Sequence, residues 1–284
     1  MAIISLSIIS CTEEGGDDGL LDPQSPIQNK GYKKLVQMNI KGSKEEDRMY
    51  FNYDRNGTLS SIEYRFYKNG YLDSRDIVNF KYENNYILCS INGEEYEKLY
   101  LILDGKITNI TYPNNSYFLK YDNNGCLASM YSEGNSPNNR ETTVFTWEEG
   151  KLVSTTSNEV SYYFDPYTNS YSESHTTRSS KYTYQSHSPN RCNGFFPDPD
   201  LCCNLSVIFE LCTAPWIIGL EQQELPEKRE DECIYSSESK IQDIWEFSYT
   251  FYDNGYLKTC TTKHSYNFSS EAREGSWVTE YFWQ

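Results

Sequence analysis

A short corner motif recurs along the chain and constrains its fold more than any other feature of the sequence. Each copy contains an aromatic or apolar residue, then a polar turn with a Gly, and then Leu or Ile. Asn-Gly and Asp-Gly pairs tolerate the positive φ that tight hairpin turns require. The copies read Tyr53-Asp-Arg-Asn-Gly57-Thr-Leu59, Phe66-Tyr-Lys-Asn-Gly70-Tyr-Leu72, Leu103-Asp-Gly105-Lys-Ile107, Tyr121-Asp-Asn-Asn-Gly125-Cys-Leu127, Trp147-Glu-Glu-Gly150-Lys-Leu152 and Phe251-Tyr-Asp-Asn-Gly255-Tyr-Leu257.

The segments between these corners alternate in the way that half-buried strands do. Trp245, Phe247, Tyr249 and Phe251 fall on one face of a strand, with polar residues between them. Turns of a second kind, such as Asn92-Gly93, separate successive corners. The pattern predicts a mainly β fold, a repetitive antiparallel meander of roughly 14 strands that forms an extended curved sheet or a barrel-like body.

Composition supports the β interpretation and excludes one class of partner. The chain has 284 residues with 26 Tyr, 13 Phe and 5 Trp, and these residue types favour pleated strands. The formal net charge is −16. Because nucleic-acid affinity comes largely from Lys and Arg that neutralise phosphates, we expect no nucleic-acid partner.

The repeat is interrupted between residues 189 and 231. Leu201, Leu205, Ile208, Phe209 and Cys212 are spaced like one face of a short helix. We therefore predict one short helical insertion near residues 201–213, within a single β domain that covers residues 31–284.

The first eleven residues predict the cellular location. Ile8-Ile9-Ser10-Cys11 resembles a bacterial lipobox, in which the Cys receives the lipid that anchors the protein. Residues 1–11 are thus interpreted as a lipoprotein signal, shorter than usual and without a basic start, which indicates truncation. Residues 12–30 form an acidic, flexible tether to the outer membrane, and the protein is expected at the cell surface. The alternative is a disordered apolar tail on a cytosolic protein.

Two known families share the repeated Tyr-Asp-x-Asn-Gly-x-Leu signature. The YD-repeat shells of large secreted toxins carry similar strings, but a closed shell needs far more repeats. The chain is more similar to a family of Bacteroidetes-type lipoproteins of unknown function, on the evidence of the lipobox, the Gly-containing corners and a late apolar insertion that ends in Leu225-Pro226. This resemblance implies a porin-like β fold and an outer-membrane location, and it implies no activity.

No catalytic, metal or cofactor site is predicted. His175, His187 and His264 lie outside any known catalytic or metal-binding motif. Pairs of acidic residues are frequent, but a glycosidase requires a defined distance between two carboxyl groups, which adjacency does not supply. Asp54, Asp122 and Asp253 are interpreted as residues that cap their own turns rather than as calcium ligands.

Aromatic residues on strands are the feature that favours ligand binding, because exposed Tyr and Trp rings stack on sugars and anchor protein partners. The alternative is that these rings pack across strands within the core. The candidate ligand-facing residues are Trp147, Tyr162, Tyr163, Trp216, Trp277 and Trp283.

These observations favour a surface-exposed outer-membrane lipoprotein that acts as a non-catalytic binding module for glycan or protein. A structural component of the cell envelope is the first alternative, and a polysaccharide hydrolase is the second. A transmembrane β-barrel is disfavoured, because a lipid-facing band must be apolar whereas the strands carry Glu63, Arg65, Lys120 and Lys258.

Overall fold

A computed structural model describes most of the chain after the predicted tether. The described residues are 33–94, 98–113, 115–134, 139–167, 169–185, 190, 224–236, 239–268 and 271–284. These residues form strands and turns but no helix, and they therefore contain no helix that could cross a membrane.

Sixteen antiparallel strands follow one another around a closed barrel. Each strand pairs with its neighbours in sequence, and β1 pairs with β16 to close the circle. The strands are β1 Leu35–Lys41, β2 Glu45–Tyr53, β3 Leu59–Lys68, β4 Tyr71–Glu83, β5 Tyr86–Ile91, β6 Lys98–Leu103, β7 Lys106–Tyr112, β8 Asn115–Tyr121, β9 Leu127–Gly134, β10 Arg140–Glu148, β11 Lys151–Asp165, β12 Ser170–Thr183, β13 Lys228–Tyr235, β14 Lys240–Phe251, β15 Leu257–Phe268 and β16 Glu271–Trp283.

The barrel confirms the predicted antiparallel meander and decides between its two forms. The predicted strand number was slightly too low. Strand β12 illustrates why counting is difficult, because its sequence SYSESHTTRSSKYT is almost entirely polar and gives little alternation. The seam between β1 and β16 continues past the strands, since Lys34 and Gln284 exchange backbone hydrogen bonds of 3.0 and 2.9 Å.

The two ends of the barrel differ in the side chains that point inward. We call the end where β1 begins and β16 finishes the apolar end, because its inward side chains are buried Leu, Ile, Phe and Met. We call the opposite end the polar end. Along β12 the inward residues change from half-buried Ser174 and Thr176 at the polar end to buried Ser180 and Tyr182 towards the apolar end.

A ring of aliphatic residues defines the apolar end. A fully buried Leu or Ile lies at or near the start of every odd-numbered strand, with an exposed fraction of at most 2%. In the recurring corners at the apolar end this residue is the second one after the Gly. The ring consists of Leu35, Leu59, Ile87, Ile107, Leu127, Leu152, Leu225 and Leu257.

Aromatic side chains from even-numbered strands or from the residue after them tie this ring together. Tyr53, for example, pairs with Leu59 across the hairpin, and its hydroxyl donates a hydrogen bond of 2.8 Å to the carbonyl of Leu35 at the start of the neighbouring strand β1. The same bond recurs from Tyr82 to Leu59, Tyr121 to Ile107, Trp147 to Leu127, Tyr184 to Leu152, Tyr249 to Pro226 and Trp283 to Leu257. The aromatic and aliphatic positions of the motif therefore serve one device, which links adjacent hairpins.

The Gly-containing corners are hairpin turns, as predicted, but they fall into two kinds. At Asn69-Gly70 both residues have positive φ, 51° and 82°, as a two-residue turn requires. The longer corners have positive φ at the Gly, as at Gly57, and the Asp54 carboxylate accepts hydrogen bonds from the N–H groups of Asn56 and Thr58. The corner at Gly70 lies at the polar end, unlike the other copies of the motif.

Asp122 accepts the equivalent hydrogen bonds in its own corner, from the N–H groups of Asn124 and Cys126. In the last corner Tyr252 occupies the corresponding place, and the N–H of Tyr256 donates to the side chain of Asn254 rather than to Asp253.

The predicted short helix near residues 201–213 falls within residues 191–223, which lie outside the described residues. The helical insertion therefore has no structural support. Strand β13 begins at Lys228, so the end of the range assigned to the insertion belongs to the sheet.

The outer wall of the barrel carries charged side chains beside exposed apolar ones such as Phe118, Val144 and Ile244. Charged residues lie in mid-strand between inward-facing neighbours, as Lys181 does between buried Ser180 and Tyr182. Further exposed charges on this wall are Lys81, Lys120, Glu230, Glu246 and Lys263. Each of these charges would be costly in hydrocarbon.

Candidate functional site

The polar end of the barrel interior is the candidate site, since solvent reaches its inward-facing side chains. A ladder of stacked groups climbs from the apolar end towards the polar end across strands β13, β14 and β15, beginning at Arg229, the second residue of β13. Arg229 pairs with Trp245, and Trp245 pairs with His264 in the next strand. The guanidinium of Arg229 lies 4.3 Å from the Trp245 ring centroid, and the Trp245 and His264 rings stack at 3.8 Å. Both faces of Trp245 are thereby covered.

Acidic residues hold this ladder in place. The Arg229 side chain is 1% exposed and donates a hydrogen bond of 2.9 Å to the Asp231 carboxylate. His264 Nε2 lies 3.0 Å from Asp243 Oδ1. Burial raises the pKa of Asp231, and the charge of Arg229 opposes that rise. Asp231 Oδ1 and Trp245 Nε1 are buried and have no hydrogen-bond partner among the described residues.

A notch beside the ladder is bordered by aromatic rings and a carboxylate. Gly275 on β16 lies opposite His264 and is exposed, so the inner wall carries no side chain at that position. The Trp277 ring stands at 70° to His264 and at 78° to Trp245, outside the stack. The half-buried ring of Tyr266 stacks on His264 at 5.3 Å. We call the space bounded by Asp243, His264, Tyr266, Gly275 and Trp277 the glycine notch.

Two further carboxylates lie on the inner wall of β10 and β11. Glu141 and Glu159 pair across these strands, and Arg178 Nη1 lies 3.9 Å from Glu141 and 2.8 Å from Glu159. The Ser157 hydroxyl donates a hydrogen bond to Glu141. Burial raises the pKa of Glu141 in spite of that hydrogen bond. The two carboxyl groups thus occupy different electrostatic environments.

A cavity of about 310 Å³ lies on the opposite part of the wall, formed by β2 to β5. Burial raises the pKa of Asp47 in this cavity, and the charge of Glu45 raises it further. The cavity is lined by Asp47, Arg48, Tyr64, Arg65, Phe66, Ser74, Asp76, Val78 and Ile91.

The predicted ligand-facing aromatics do not form one site. Trp277 lies in the glycine notch, whereas Trp147 and Trp283 are half-buried at the apolar end and donate hydrogen bonds of 2.9 and 2.7 Å to Leu127 and Leu257. Tyr162 lies on the outer wall, where its hydroxyl donates to Glu173. The side chain of Tyr163 lies outside the described part of the chain.

Trp216 and the predicted lipidation site Cys11 also fall outside the described residues. No motif in the sequence identifies Trp245, His264 or Gly275 as site residues. The alternation of β14 placed Trp245 on the inner face, but the pairing of β14 with β15 and of β15 with β16 was needed to bring His264 and Gly275 beside it.

Metal ligands are not clustered in the described part of the barrel. No group of three or more His, Cys, Asp or Glu residues there is arranged to hold a metal ion. His175 lies on the outer wall, with Nε2 at 2.7 Å from Glu173.

Similarity to solved structures is found at the level of the fold. No protein-family model matches the sequence, and no curated protein has a similar sequence. A porin-like protein from Bacteroides uniformis ATCC 8492 superposes with a TM-score of 0.62 at 11% identity, covering 88% of this chain and 98% of that protein. A porin-like protein from Bacteroides vulgatus ATCC 8482 gives 0.52 at 10% identity, covering 89% and 99%. The chain therefore has a porin-like β-barrel fold, which confirms the fold that the family resemblance implied.

Proposed function

We propose that the protein is a lipid-anchored barrel of the outer membrane that binds a glycan, without catalysis, at the polar end of its interior. The observation that carries the proposal is the glycine notch. There, an aromatic ring outside the stack, Trp277, borders a space that Gly275 leaves free, and the Asp243 carboxylate lies beside it.

Sugar recognition requires these groups together. The apolar face of a pyranose stacks on an aromatic ring, and its hydroxyls donate to carboxylates and accept from N–H and O–H groups. Further around the inner wall, β12 adds hydroxyls from Ser174 and Thr176. Because carboxylates outnumber bases on this wall, a neutral or cationic glycan fits better than an acidic one.

The test is a glycan-array screen of the full-length chain, followed by titration of each hit. Trp277→Ala removes the ring, and Gly275→Val fills the notch. An added Cβ at Gly275 lies 4.0 Å from the Trp277 ring, which is ordinary contact, so the barrel should tolerate the change. We expect each variant to weaken binding about tenfold or more, as loss of a stacking contact does.

Ser276→Val is the matched control, because Ser276 receives the same new side chain but points to the outer wall. Its affinity should equal that of the wild type. A screen without any glycan hit, or hits that ignore Trp277 and Gly275, would contradict the proposal.

The location is proposed from two features. Charged side chains at mid-strand on the outer wall are costly in hydrocarbon, so the attachment to the membrane is assigned to a lipid on Cys11. Labelling with a clickable fatty acid in a Bacteroidetes host should mark the full-length chain and its Cys233→Ser variant but not Cys11→Ser. Protease added to intact cells should degrade the protein if it lies at the surface.

Hydrolysis of a polysaccharide is the second candidate, favoured by Glu141 and Glu159. A raised pKa on one carboxyl beside a second, Arg-paired carboxylate is the arrangement that glycosidases use for acid and nucleophile. Release of reducing ends from a bound glycan, lost in Glu141→Gln, would favour this candidate. Binding without release would favour the binding module.

A further inference from the structure

We propose that the cavity on β2 to β5 is a second binding site, which takes a small organic cation bearing an ammonium group. The cavity lies on a different part of the wall from the glycine notch, and its ligand is independent of glycan binding. Its volume of about 310 Å³ is at the lower end of the range of ligand pockets, about 300–1,000 Å³.

The cavity combines an aromatic platform with acids on both sides. On the middle strand β3, Tyr64 and Phe66 point inward. Phe66 pairs with Asp47 on β2, and Tyr64 pairs with Asp76 on β4. The carboxylates therefore flank the rings on either side. Carboxylates satisfy an ammonium group by charge, and the rings attract it through their π faces.

The arginines next to the cavity do not supply this positive charge. Arg48 forms an ion pair of 2.8 Å with Glu46, and Arg65 forms one of 2.6 Å with Glu63. Each guanidinium also lies over a Tyr ring, Tyr67 for Arg48 and Tyr50 for Arg65.

The two cavity acids have no cationic partner among the described residues. Asp76 accepts a hydrogen bond from the neutral Asn92 amide, and Asp47 has no ion pair there. A positive ligand would therefore complete a cavity whose own charges are uncompensated, while Val78 and Ile91 provide an apolar wall for its carbon atoms.

Benzylammonium and benzyl alcohol test the charge requirement, because they share ring and size and differ in charge. The full-length chain, labelled on Ile and Val methyl groups, is titrated with each and followed by NMR. Benzylammonium should shift the methyl signals of Val78 and Ile91 and leave Ile107 at the apolar end unchanged. Benzyl alcohol should bind at least tenfold more weakly.

Asp47→Asn and Asp76→Asn should each weaken benzylammonium binding at least tenfold without affecting benzyl alcohol. Asp73→Asn, the same change on the outer face of β4, should have no effect. Added salt should weaken the binding of benzylammonium to the wild-type protein. This measurement tests the role of charge without any substitution. Equal affinity for both probes, absence of binding at millimolar concentration, or shifts elsewhere in the barrel would overturn the proposal.

The proposal of glycan binding at the notch and the proposal of cation binding at the cavity can each be refuted without the other. Trp277→Ala should leave the benzylammonium titration unchanged, and Asp47→Asn should leave glycan affinity unchanged.

Discussion

The two ends of this barrel use the same strands for different purposes. At the apolar end, inward side chains form a buried ring, and aromatic hydroxyls and indole N–H groups satisfy the carbonyls beside it. At the polar end, the inward side chains are carboxylates, hydroxyls and rings that solvent reaches. The apolar end thus supplies stability and the polar end supplies the candidate binding site. The loss of stability caused by a substitution should therefore depend on the position of the residue along its strand. The following predictions test that division, beginning with the largest effect.

Arg229→Met should be the most destabilising of these changes. Arg229 is the one charged side chain that is fully buried among the described residues, and it pairs with Asp231. Its loss leaves the Asp231 carboxyl without its cation, which costs about 3–5 kcal/mol of unfolding free energy in a buried pair. Urea denaturation measures the change. Lys228→Met, one residue away and half-exposed, should cost less than about 0.5 kcal/mol. If Arg229→Met and Lys228→Met lose similar amounts of unfolding free energy, Arg229 lies in a hydrated environment.

Ile87→Ala should cost about 2–5 kcal/mol, since it removes a fully buried member of the ring and leaves a cavity. Ile244→Ala makes the same change on the outer wall, where the side chain is 38% exposed, and should cost about 1 kcal/mol or less. Urea midpoints at constant slope provide the comparison. If the two variants lose equal stability, the ring is not the stabilising part of the barrel.

Tyr82→Phe should cost about 1–2 kcal/mol, because it removes the hydroxyl that donates a bond of 2.7 Å to the Leu59 carbonyl in a buried setting. Tyr162→Phe removes an exposed hydroxyl bonded to Glu173 and should cost about 0.5 kcal/mol or less. Hydrogen exchange of the amides near Leu59 gives a local reading. Unchanged stability in Tyr82→Phe would show that water replaces the lost bond.

Asp47→Asn should give the smallest effect, and one that depends on pH. Burial raises the pKa of Asp47 above its ordinary value of 3.8, so the folded chain holds this proton more tightly than the unfolded chain. The contribution of Asp47 to stability is therefore full below pH 3.8 and is lost as the pH rises through the raised pKa. Asp47→Asn should be more stable than wild type by about 0.5 kcal/mol at pH 7, and the difference should shrink as the pH falls to about 4. A difference that is constant across this range would contradict the assignment.

The sequence predicts the apolar end far better than the polar end. The corner motif specifies a turn, a ring residue and an aromatic partner within a few positions, and hairpin pairing keeps all three local. Alternation then assigns inner and outer faces, as for Trp245 and Phe247. The sequence does not decide whether the sheet closes, because closure depends on pairing between β1 and β16 at opposite ends of the chain.

The polar end escaped prediction for a physical reason. Its groups come together only through strand register, and an inward Gly275 opposite His264 has no signature in the sequence. Trp147, Trp277 and Trp283 look equivalent in sequence, yet Trp147 and Trp283 donate hydrogen bonds to ring carbonyls at the apolar end, whereas Trp277 borders the glycine notch. Polar strands such as β12 also carry no apolar period from which the inward face could be read.

The bond from each aromatic side chain to the preceding hairpin makes the hairpin the unit of growth for this molecule. Duplication of one such hairpin adds two strands, one ring residue and one aromatic hydrogen-bond donor. The circumference of the barrel then increases, while the length of its strands stays the same. Loss of a single strand would instead leave one neighbour without a donor and reverse the direction of everything downstream. Relatives of different circumference should therefore differ by even numbers of strands.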